Sequence, residues 1–143
     1  MSATLKQGIL ILNFKGDKQK MNVLLDPISN VYEGILRNRE GHNFPAHHIP
    51  KGHPLHAYKD KCKYVVAVYN TKSLNHELHH ARYYMDEKYR EDVQKEWKGL
   101  EKETKEKITK FLKKCGYSDE VIIDEYQAYK YTEKPNFFGV QLK

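Results

Sequence analysis

The chain has 143 residues, 39% of them hydrophobic and 12% aromatic, which is typical of a folded protein and excludes a disordered tail. This length predicts a single domain over residues 1–143. The net charge of +6 comes from 25 basic and 19 acidic residues that are mixed along the chain, which argues against nucleic-acid binding.

The sequence gives no membrane signal. No run approaches the roughly 18 apolar residues of a membrane span, and residues 1–7 lack the apolar core of a secretory signal. We therefore expect an intracellular, cytoplasmic protein with no membrane partner. Cys62 and Cys115 lie far apart in unlike contexts, which predicts ordinary thiols rather than a disulfide.

The first third of the chain predicts two strands and a helix. Residues 8–14 and 21–25 are apolar runs separated by a Gly-Asp turn, which together predict a hairpin. Asp26 and Pro27 then predict the N-cap and first residue of a helix that reaches about residue 38. Its expected buried face consists of Ile28, Val31, Ile35 and Leu36.

Residues 40–63 carry few regular signals, because glycines and prolines interrupt them throughout. Five of the eight histidines of the chain lie in this segment: His42, His47, His48, His53 and His56. One interpretation is a second metal cluster or a rim that binds substrate. The simpler interpretation, which we favour, is a solvated loop or a short irregular edge strand.

Residues 64–69 predict a buried strand, and a helix with two distinct sides follows. An apolar stripe recurs at intervals of four, three and four residues, at Leu74, Leu78, Ala81 and Met85. Ser73 or Thr71 is the expected N-cap. His76 and His80 fall on roughly the opposite side, facing away from the core.

The remaining chain predicts mainly helix. Residues 88–114 alternate Glu and Lys around a sparse apolar set, and Gly99 is expected to bend or split this helix. Trp97 is expected to pack rather than to bind a ligand. Gly116 suits the position after a helix, and Ser118 the N-cap of the next one. The predicted class is α+β, with a small sheet packed on the histidine helix and a helical C-terminal half.

The stretch most informative about function is His76-Glu77-Leu78-His79-His80-Ala81. On a helix, His76 and His80 are one turn apart and point the same way, so both imidazoles can reach one metal ion. Glu77 lies about 100° further round, beside the ion, where a general base acts on a metal-activated water. The pattern therefore predicts metal-dependent hydrolysis.

A catalytic zinc centre needs a third protein ligand. The downstream candidates are Asp86, Glu87, Asp124 and Glu125. Glu87 lies two turns beyond His80, about 10 Å along the helix axis, and cannot fold back to the same ion. A carboxylate from another helix has the reach, which favours Glu125 or Asp124.

The histidine motif, followed by Tyr83 and Tyr84, and the later segment Asp124-Glu125-Tyr126-Gln127-Ala128-Tyr129 resemble the zincin metallopeptidases. The chain is most similar to small, single-domain gluzincin-like proteins, and the resemblance covers residues 64–131. It implies a zincin-like fold, in which a short mixed sheet packs on the catalytic helix and a peptide substrate lies extended along the edge strand. The implied cofactor is Zn²⁺.

Carried over by position, the resemblance makes His76 and His80 zinc ligands, Glu77 the base and Glu125 the third ligand. It makes Asp124 the residue that orients a ligand histidine, or the ligand itself. Four residues after Glu125, where these proteins often have an aspartate, this chain has a tyrosine. The candidate donors to the developing oxyanion are Tyr126, Tyr129, Tyr83 and His79.

The predicted function is a zinc-dependent metallopeptidase that acts on a peptide or protein substrate. Two alternatives stay open. One is a catalytically inactive zincin-like module that is stabilised by metal and binds a partner. The other is a basic nucleic-acid-binding protein in which the histidines are incidental.

Overall fold

A four-stranded mixed sheet forms the centre of the fold, with helices on both faces. The computed structural model describes residues 1–36 and 38–142. The strands are β1 (Ser2–Lys6), β2 (Ile9–Asn13), β3 (Gly41–Pro45) and β4 (Tyr64–Val68), in the sheet order β1-β2-β4-β3. β2 and β4 are parallel, and each outer strand pairs antiparallel with its neighbour. This architecture confirms the predicted α+β class.

A hairpin joins β1 to β2, so the predicted pairing of residues 8–14 with residues 21–25 is wrong. Gln7 and Gly8 form its two-residue turn with φ values of 51° and 82°, the left-handed conformation that such turns need. β1 is exposed along its whole length and lacks apolar alternation, so its sequence carries no strand signal.

Residues 21–25 belong to helix α1 (Lys18–Tyr32), so the predicted strand there and the predicted helix start at Pro27 are both wrong. Asp17 caps α1 by accepting a hydrogen bond of 2.9 Å from the Lys20 amide. Met21 and Leu25 of the predicted strand lie four positions apart and form the buried face of α1 together with Ile28, three positions further on.

α1 ends at Tyr32 rather than near residue 38, because the chain turns sharply at Gly34. Gly34 has a φ of 110°, and a Cβ there would lie 2.2 Å from the Gly116 carbonyl oxygen. Val31 lies about 100° round α1 from its buried face, and Ile35 lies beyond the helix end. The two are therefore 81% and 74% exposed, which contradicts their predicted burial.

Side-chain alternation in the sheet divides its core between the two faces. The face that packs with α1 carries Leu10, Leu12, Phe44, Val65 and Ala67. The opposite face carries Tyr64 and Val66. β4 is buried along its whole length, as the continuous apolar run at residues 64–69 predicted for a central strand.

The histidine-rich segment forms no second metal cluster among the residues that the structure describes. β3 occupies its start as an edge strand, and 3-10 turns at Ala46–His48 and Pro54–Tyr58 follow. His42 is fully buried and bonded to the Ser29 hydroxyl at 2.7 Å and to Asn22 Oδ1 at 2.8 Å. These contacts hold β3 against α1.

The C-terminal half contains helices α2 (Leu74–Met85), α3 (Glu87–Gly99), α4 (Lys102–Cys115) and α5 (Ile122–Lys130). Gly99 ends α3, which confirms the predicted break. Gly116 follows α4 with a φ of 106°, as predicted for a residue after a helix. The predicted Ser118 cap of α5 is wrong, because the 3-10 turn Asp119–Val121 intervenes and Ser118 makes no capping hydrogen bond.

A second core lies between α4, α5 and the segment that follows α5. Ile108 and Leu112 of α4 pack there with Tyr126 and Phe138. Trp97 contacts the Tyr126 ring edge-on at 5.1 Å, so the predicted packing contact is present. The two cysteines lie in or beside different cores, and no disulfide joins them, as predicted. Within the described residues, no helix is both long and apolar enough to cross a membrane.

Candidate metal centre

Helix α2 lies between the sheet and α5, which gives it one apolar and one polar side. Its apolar side packs on Tyr64 and Val66 of β4 through Ala81 and the half-buried Leu74 and Met85. The polar side therefore faces α5. Three of the four residues of the predicted apolar stripe, all except Leu78, therefore pack on the sheet.

The chain enters α2 through a 3-10 turn, Thr71–Ser73. Asn70 Oδ1 caps this turn by accepting a 2.9 Å hydrogen bond from the Lys72 amide. Ser73 occupies the N-cap position of α2, but its hydroxyl donates to the Glu40 carbonyl oxygen at 3.2 Å. The capping side chain is thus Asn70 rather than the predicted Ser73 or Thr71.

Three side-chain atoms from α2 and α5 converge. The Nε2 atoms of His76 and His80 lie 3.2 Å apart. Glu125 Oε1 lies 3.3 Å from His80 Nε2 and 3.7 Å from His76 Nε2. Two bonds of about 2.0–2.1 Å at a tetrahedral angle put neighbouring zinc ligands about 3.3 Å apart. The triangle therefore has the dimensions of three corners of a zinc tetrahedron.

Glu125 Oε1 is the one buried side-chain oxygen or nitrogen of the described residues that has no hydrogen-bond partner. Burying a carboxylate oxygen without a donor is energetically costly, and such atoms normally find a proton donor or a cation. A cation between the three atoms would remove that cost. The donor set, two imidazoles and one carboxylate, is one that Zn²⁺ accepts.

Glu77 is a second carboxylate within reach of the histidines. One ligand atom from each of His76, Glu77 and His80 lies within 4.8 Å of the others. Glu77 Oε1, however, is 3.9 Å from His80 Nε2 and already accepts a hydrogen bond from Asn43 Nδ2 at 3.3 Å. Glu125, which is closer and whose Oε1 accepts no hydrogen bond, fits the ligand position better, and Glu77 lies beside the triangle.

The orientation of His80 depends on Asp124. Asp124 Oδ1 lies 2.8 Å from His80 Nδ1 and also accepts a hydrogen bond of 3.0 Å from Gln127 Nε2. An oxygen that accepts from the Gln127 amide suits an ionised carboxylate, so His80 carries its proton on Nδ1. The lone pair of Nε2 is then directed at His76 and Glu125, the arrangement in which a second carboxylate orients a metal-ligating histidine.

His76 is oriented through its other ring nitrogen, because its Nδ1 lies 3.4 Å from Thr132 Oγ1. The Thr132 hydroxyl donates its own proton to the Ala128 carbonyl oxygen at 2.6 Å, so it can only accept from His76. The Nε2 atom of His76 therefore also presents a lone pair. Two lone pairs and a carboxylate oxygen at these separations repel one another unless a cation or a proton lies between them.

The close approach of His76, His80, Asp124 and Glu125 shifts the pKa values of the centre. Burial raises the pKa of Glu125, but the neighbouring His80 and His76 outweigh burial and hold it at about 2. Burial lowers the pKa of His80, but the carboxylates of Asp124 and Glu125 outweigh it and raise that pKa well above its usual range. Without metal the centre therefore holds a proton among these groups, and a metal ion would displace that proton.

Glu77 is positioned from β3, which lies at the edge of the sheet. Tyr64 donates a 2.5 Å hydrogen bond to Asn43 Oδ1, so the Asn43 amide nitrogen must point towards Glu77. A Cβ at Gly41 would lie 2.8 Å from Glu77 Oε2, so a larger residue at this position would displace the carboxylate. Alternation along β3 sends Asn43 to the α2 face and His42 to the α1 face.

A buried charge network lies behind Asn43. Its Nδ2 is also 3.5 Å from Glu33 Oε2, and Glu33 forms a buried ion pair with Arg39. Arg39 additionally donates to the Gly34 carbonyl oxygen at 3.0 Å. The sequence analysis did not indicate Glu33, Arg39 or Asn43, because they lie 33 or more positions before His76 and carry no motif of their own.

A cleft of about 460 Å³ opens onto the centre between β3 and the C-terminal end of α5. It is lined by His76, Glu77 and Glu125 as well as Tyr117 and Tyr129. The Tyr129 ring packs on the His76 ring at 4.4 Å, and its hydroxyl lies 2.8 Å from that of Tyr117. Of the predicted oxyanion donors, Tyr129 alone lines this cleft, and the sequence did not indicate Tyr117.

The other predicted donors point elsewhere. Tyr126 donates to Glu96 at 2.6 Å, and Tyr83 accepts from Gln94 at 3.3 Å. His79 Nδ1 lies 2.8 Å from the Asn75 carbonyl oxygen. These three side chains do not line the cleft, because Tyr126 and Tyr83 bond to residues of α3 and His79 bonds to a carbonyl group of its own helix.

Comparison with known proteins brought no relatives: no protein-family model matches the chain, and no curated protein or solved structure matches it. The function must therefore be inferred from the residues and their geometry. The most specific feature available is the convergence of His76, His80 and Glu125 beside Glu77.

Proposed function

We propose that the protein is a zinc-dependent peptidase of the zincin type, in which His76, His80 and Glu125 hold the ion. The observation that carries this proposal is the triangle of ligand atoms with sides of 3.2, 3.3 and 3.7 Å, one corner of which is an otherwise unpartnered buried carboxylate oxygen. Three protein ligands leave one position open, as in catalytic rather than structural zinc sites.

Glu77 is the general base of the proposed reaction. It lies beside the ligand triangle, where Asn43 donates a hydrogen bond to its carboxylate and the missing side chain of Gly41 leaves room for it. Burial raises the pKa of Glu77, against the lowering effect of His76 and His80, which brings it closer to the range in which a base exchanges protons near neutral pH. Glu77 would take a proton from the attacking water and pass it to the leaving amine.

When bound, zinc would polarise the substrate carbonyl and lower the pKa of water at its open position towards about 7. The chain supplies the rest of the stabilisation. The hydroxyls of Tyr117 and Tyr129 share one hydrogen bond, which uses one of their two protons. The other proton is free to be donated into the cleft, where the tetrahedral oxyanion would form.

An extended polypeptide is the substrate that suits the cleft. β3 is an edge strand and borders the cleft beside Glu77, so its outer backbone groups can pair with another extended chain. This arrangement agrees with the substrate position that the resemblance to zincins implies. We therefore expect hydrolysis of unfolded segments rather than of compact folded domains.

Two measurements on the full chain test the proposal. Elemental analysis of purified protein should find about one zinc per chain, and the zinc-loaded protein should cleave an unfolded polypeptide. Glu77→Gln should keep the zinc and lower kcat by about 10²–10⁴, because a base contributes that much. Glu91→Gln, an exposed substitution on α3, is the matched control and should leave kcat unchanged.

The outcomes separate the alternatives. Zinc that binds without any hydrolysis would favour the metal-stabilised binding module instead. Protein that takes up no zinc, even after addition of the metal and dialysis, would refute both.

A further inference from the structure

Positive charge is concentrated on α4, on the side of this helix that faces away from the second core. α4 carries six lysines and two glutamates, so it contributes +4 of the net charge of +6. α3 carries four basic and four acidic residues and contributes nothing. The charges that look mixed along the sequence are therefore unevenly distributed once the two helices have formed.

The lysines of α4 border an open groove of about 790 Å³. It is lined by Trp97, Glu106 and Thr109 and by five lysines, Lys102, Lys105, Lys110, Lys113 and Lys114. In the described part of the chain, Lys107 and Lys113 form ion pairs with acidic residues. Lys102, Lys110 and Lys114 form none there. The last three are exposed, so their charges are available to a partner.

Trp97 supplies a flat apolar surface within this positive groove. Its indole is half-buried, with an edge-on contact to Tyr126 beneath, and the accessible part lines the groove among the lysines. Exposed lysines alone would suit any polyanion. An aromatic ring among them is the combination with which proteins bind single-stranded nucleic acid, since the bases stack while lysines contact the phosphates.

We propose that the groove of Trp97 and α4 binds single-stranded nucleic acid without sequence preference. A duplex has no unpaired base to offer the indole and should bind more weakly. The groove shares no lining residue with the metal cleft, so this binding is independent of the proposed peptidase activity.

Trp97 is the only tryptophan of the chain, so its fluorescence reports directly on the groove. A 20-nucleotide oligothymidylate added to the full-length protein should quench this fluorescence. The affinity should fall with salt, with a slope of about −2 in log K against log salt if three phosphates are contacted. EDTA should leave the affinity unchanged, whatever happens to peptidase activity.

The matched pair of variants isolates the surface. Replacing Lys102, Lys110 and Lys114 by alanine should weaken binding by about fivefold for each lysine at 0.1 M salt. Replacing Lys51, Lys61 and Lys63, three exposed lysines far from α4 in sequence, removes the same charge and should change affinity by less than about threefold.

Three results would overturn the proposal. The first is equal weakening by both triple variants, which would indicate attraction by net charge alone. The second is binding without quenching of Trp97, which would place the nucleic acid elsewhere. The third is binding to vesicles of phosphatidylcholine and phosphatidylserine in the absence of binding to the oligonucleotide, which would assign the surface to anionic membranes.

Discussion

Replacing Asp124 tests whether the metal centre depends on the residue that orients His80. Asp124 Oδ1 accepts hydrogen bonds from His80 Nδ1 at 2.8 Å and from Gln127 Nε2 at 3.0 Å. Asp124→Asn retains an oxygen that can accept both bonds, removes the negative charge and places an amide nitrogen where Oδ2 was. Asp124→Ala removes this acceptor, so the Nδ1–H of His80 and one N–H of Gln127 lose their partner, while the Gln127 amide still donates to the His79 carbonyl oxygen at 3.2 Å.

The two substitutions should therefore differ in size. Loss of a carboxylate that hydrogen-bonds a metal-ligating histidine lowers metal affinity by roughly 10–100-fold. We therefore expect zinc affinity to fall about 10-fold in Asp124→Asn and about 100-fold in Asp124→Ala. These factors correspond to about 1.4 and 2.7 kcal/mol of binding free energy. The effect arises because the Asp124 charge makes the imidazole of His80 a more basic ligand.

Zinc affinity can be measured by competition with a chromophoric chelator at pH 7.5, on protein whose circular dichroism matches the wild type. Asp119→Asn is the matched control, since Asp119 is an exposed acid of the same segment and pairs with Lys113 at 2.9 Å on the surface. Its affinity should stay within about twofold of wild type. Wild-type zinc affinity in folded Asp124→Asn would refute the role of Asp124. Equal losses of zinc affinity in Asp124→Asn and Asp119→Asn would show that Asp124 acts only through its long-range charge.

Two further predictions concern β3. Gly41→Ala should lower kcat by about 100-fold while zinc binding is retained, because its Cβ would lie 2.8 Å from Glu77 Oε2 and must displace that carboxylate. Gly52→Ala, whose Cβ meets nothing within 4 Å, is the control, and retained activity in Gly41→Ala would contradict the close approach. Burial, and then the charge of Arg39, lower the pKa of His42 to about 2. Below about pH 6.5, His42 is therefore protonated in the unfolded chain but stays neutral in the folded chain. Stability is therefore lost as the pH falls, by about 2 kcal/mol between pH 7.5 and pH 5 from His42 alone. Urea unfolding of metal-free wild type and His42→Gln should show this difference in pH dependence, and parallel curves would show that His42 is not held neutral.

The local pattern of the chain was enough to predict α2 and the roles of its faces. An apolar stripe with helical period and two histidines one turn apart depend only on the geometry of a single helix. The same holds for the break at Gly99 and the left-handed Gly116, where one residue type determines the backbone. The predicted strand at residues 21–25 is wrong because a five-residue segment with four apolar residues fits a strand as well as a helix when the Asp17 cap is not considered.

The sequence by itself determined which side chains could serve a metal, since His76, Glu77 and His80 are brought together by one helix, and it narrowed the third ligand to Asp124 or Glu125. Only the tertiary structure decided between those two, because the rotation of α5 against α2 turns Asp124 to His80 Nδ1 and Glu125 to both Nε2 atoms. The same packing brings Asn43 and Gly41 to Glu77 across 34 and 36 positions of chain. Contacts of that kind follow from how whole elements pack against one another, so the periodicity of a single helix or strand does not predict them.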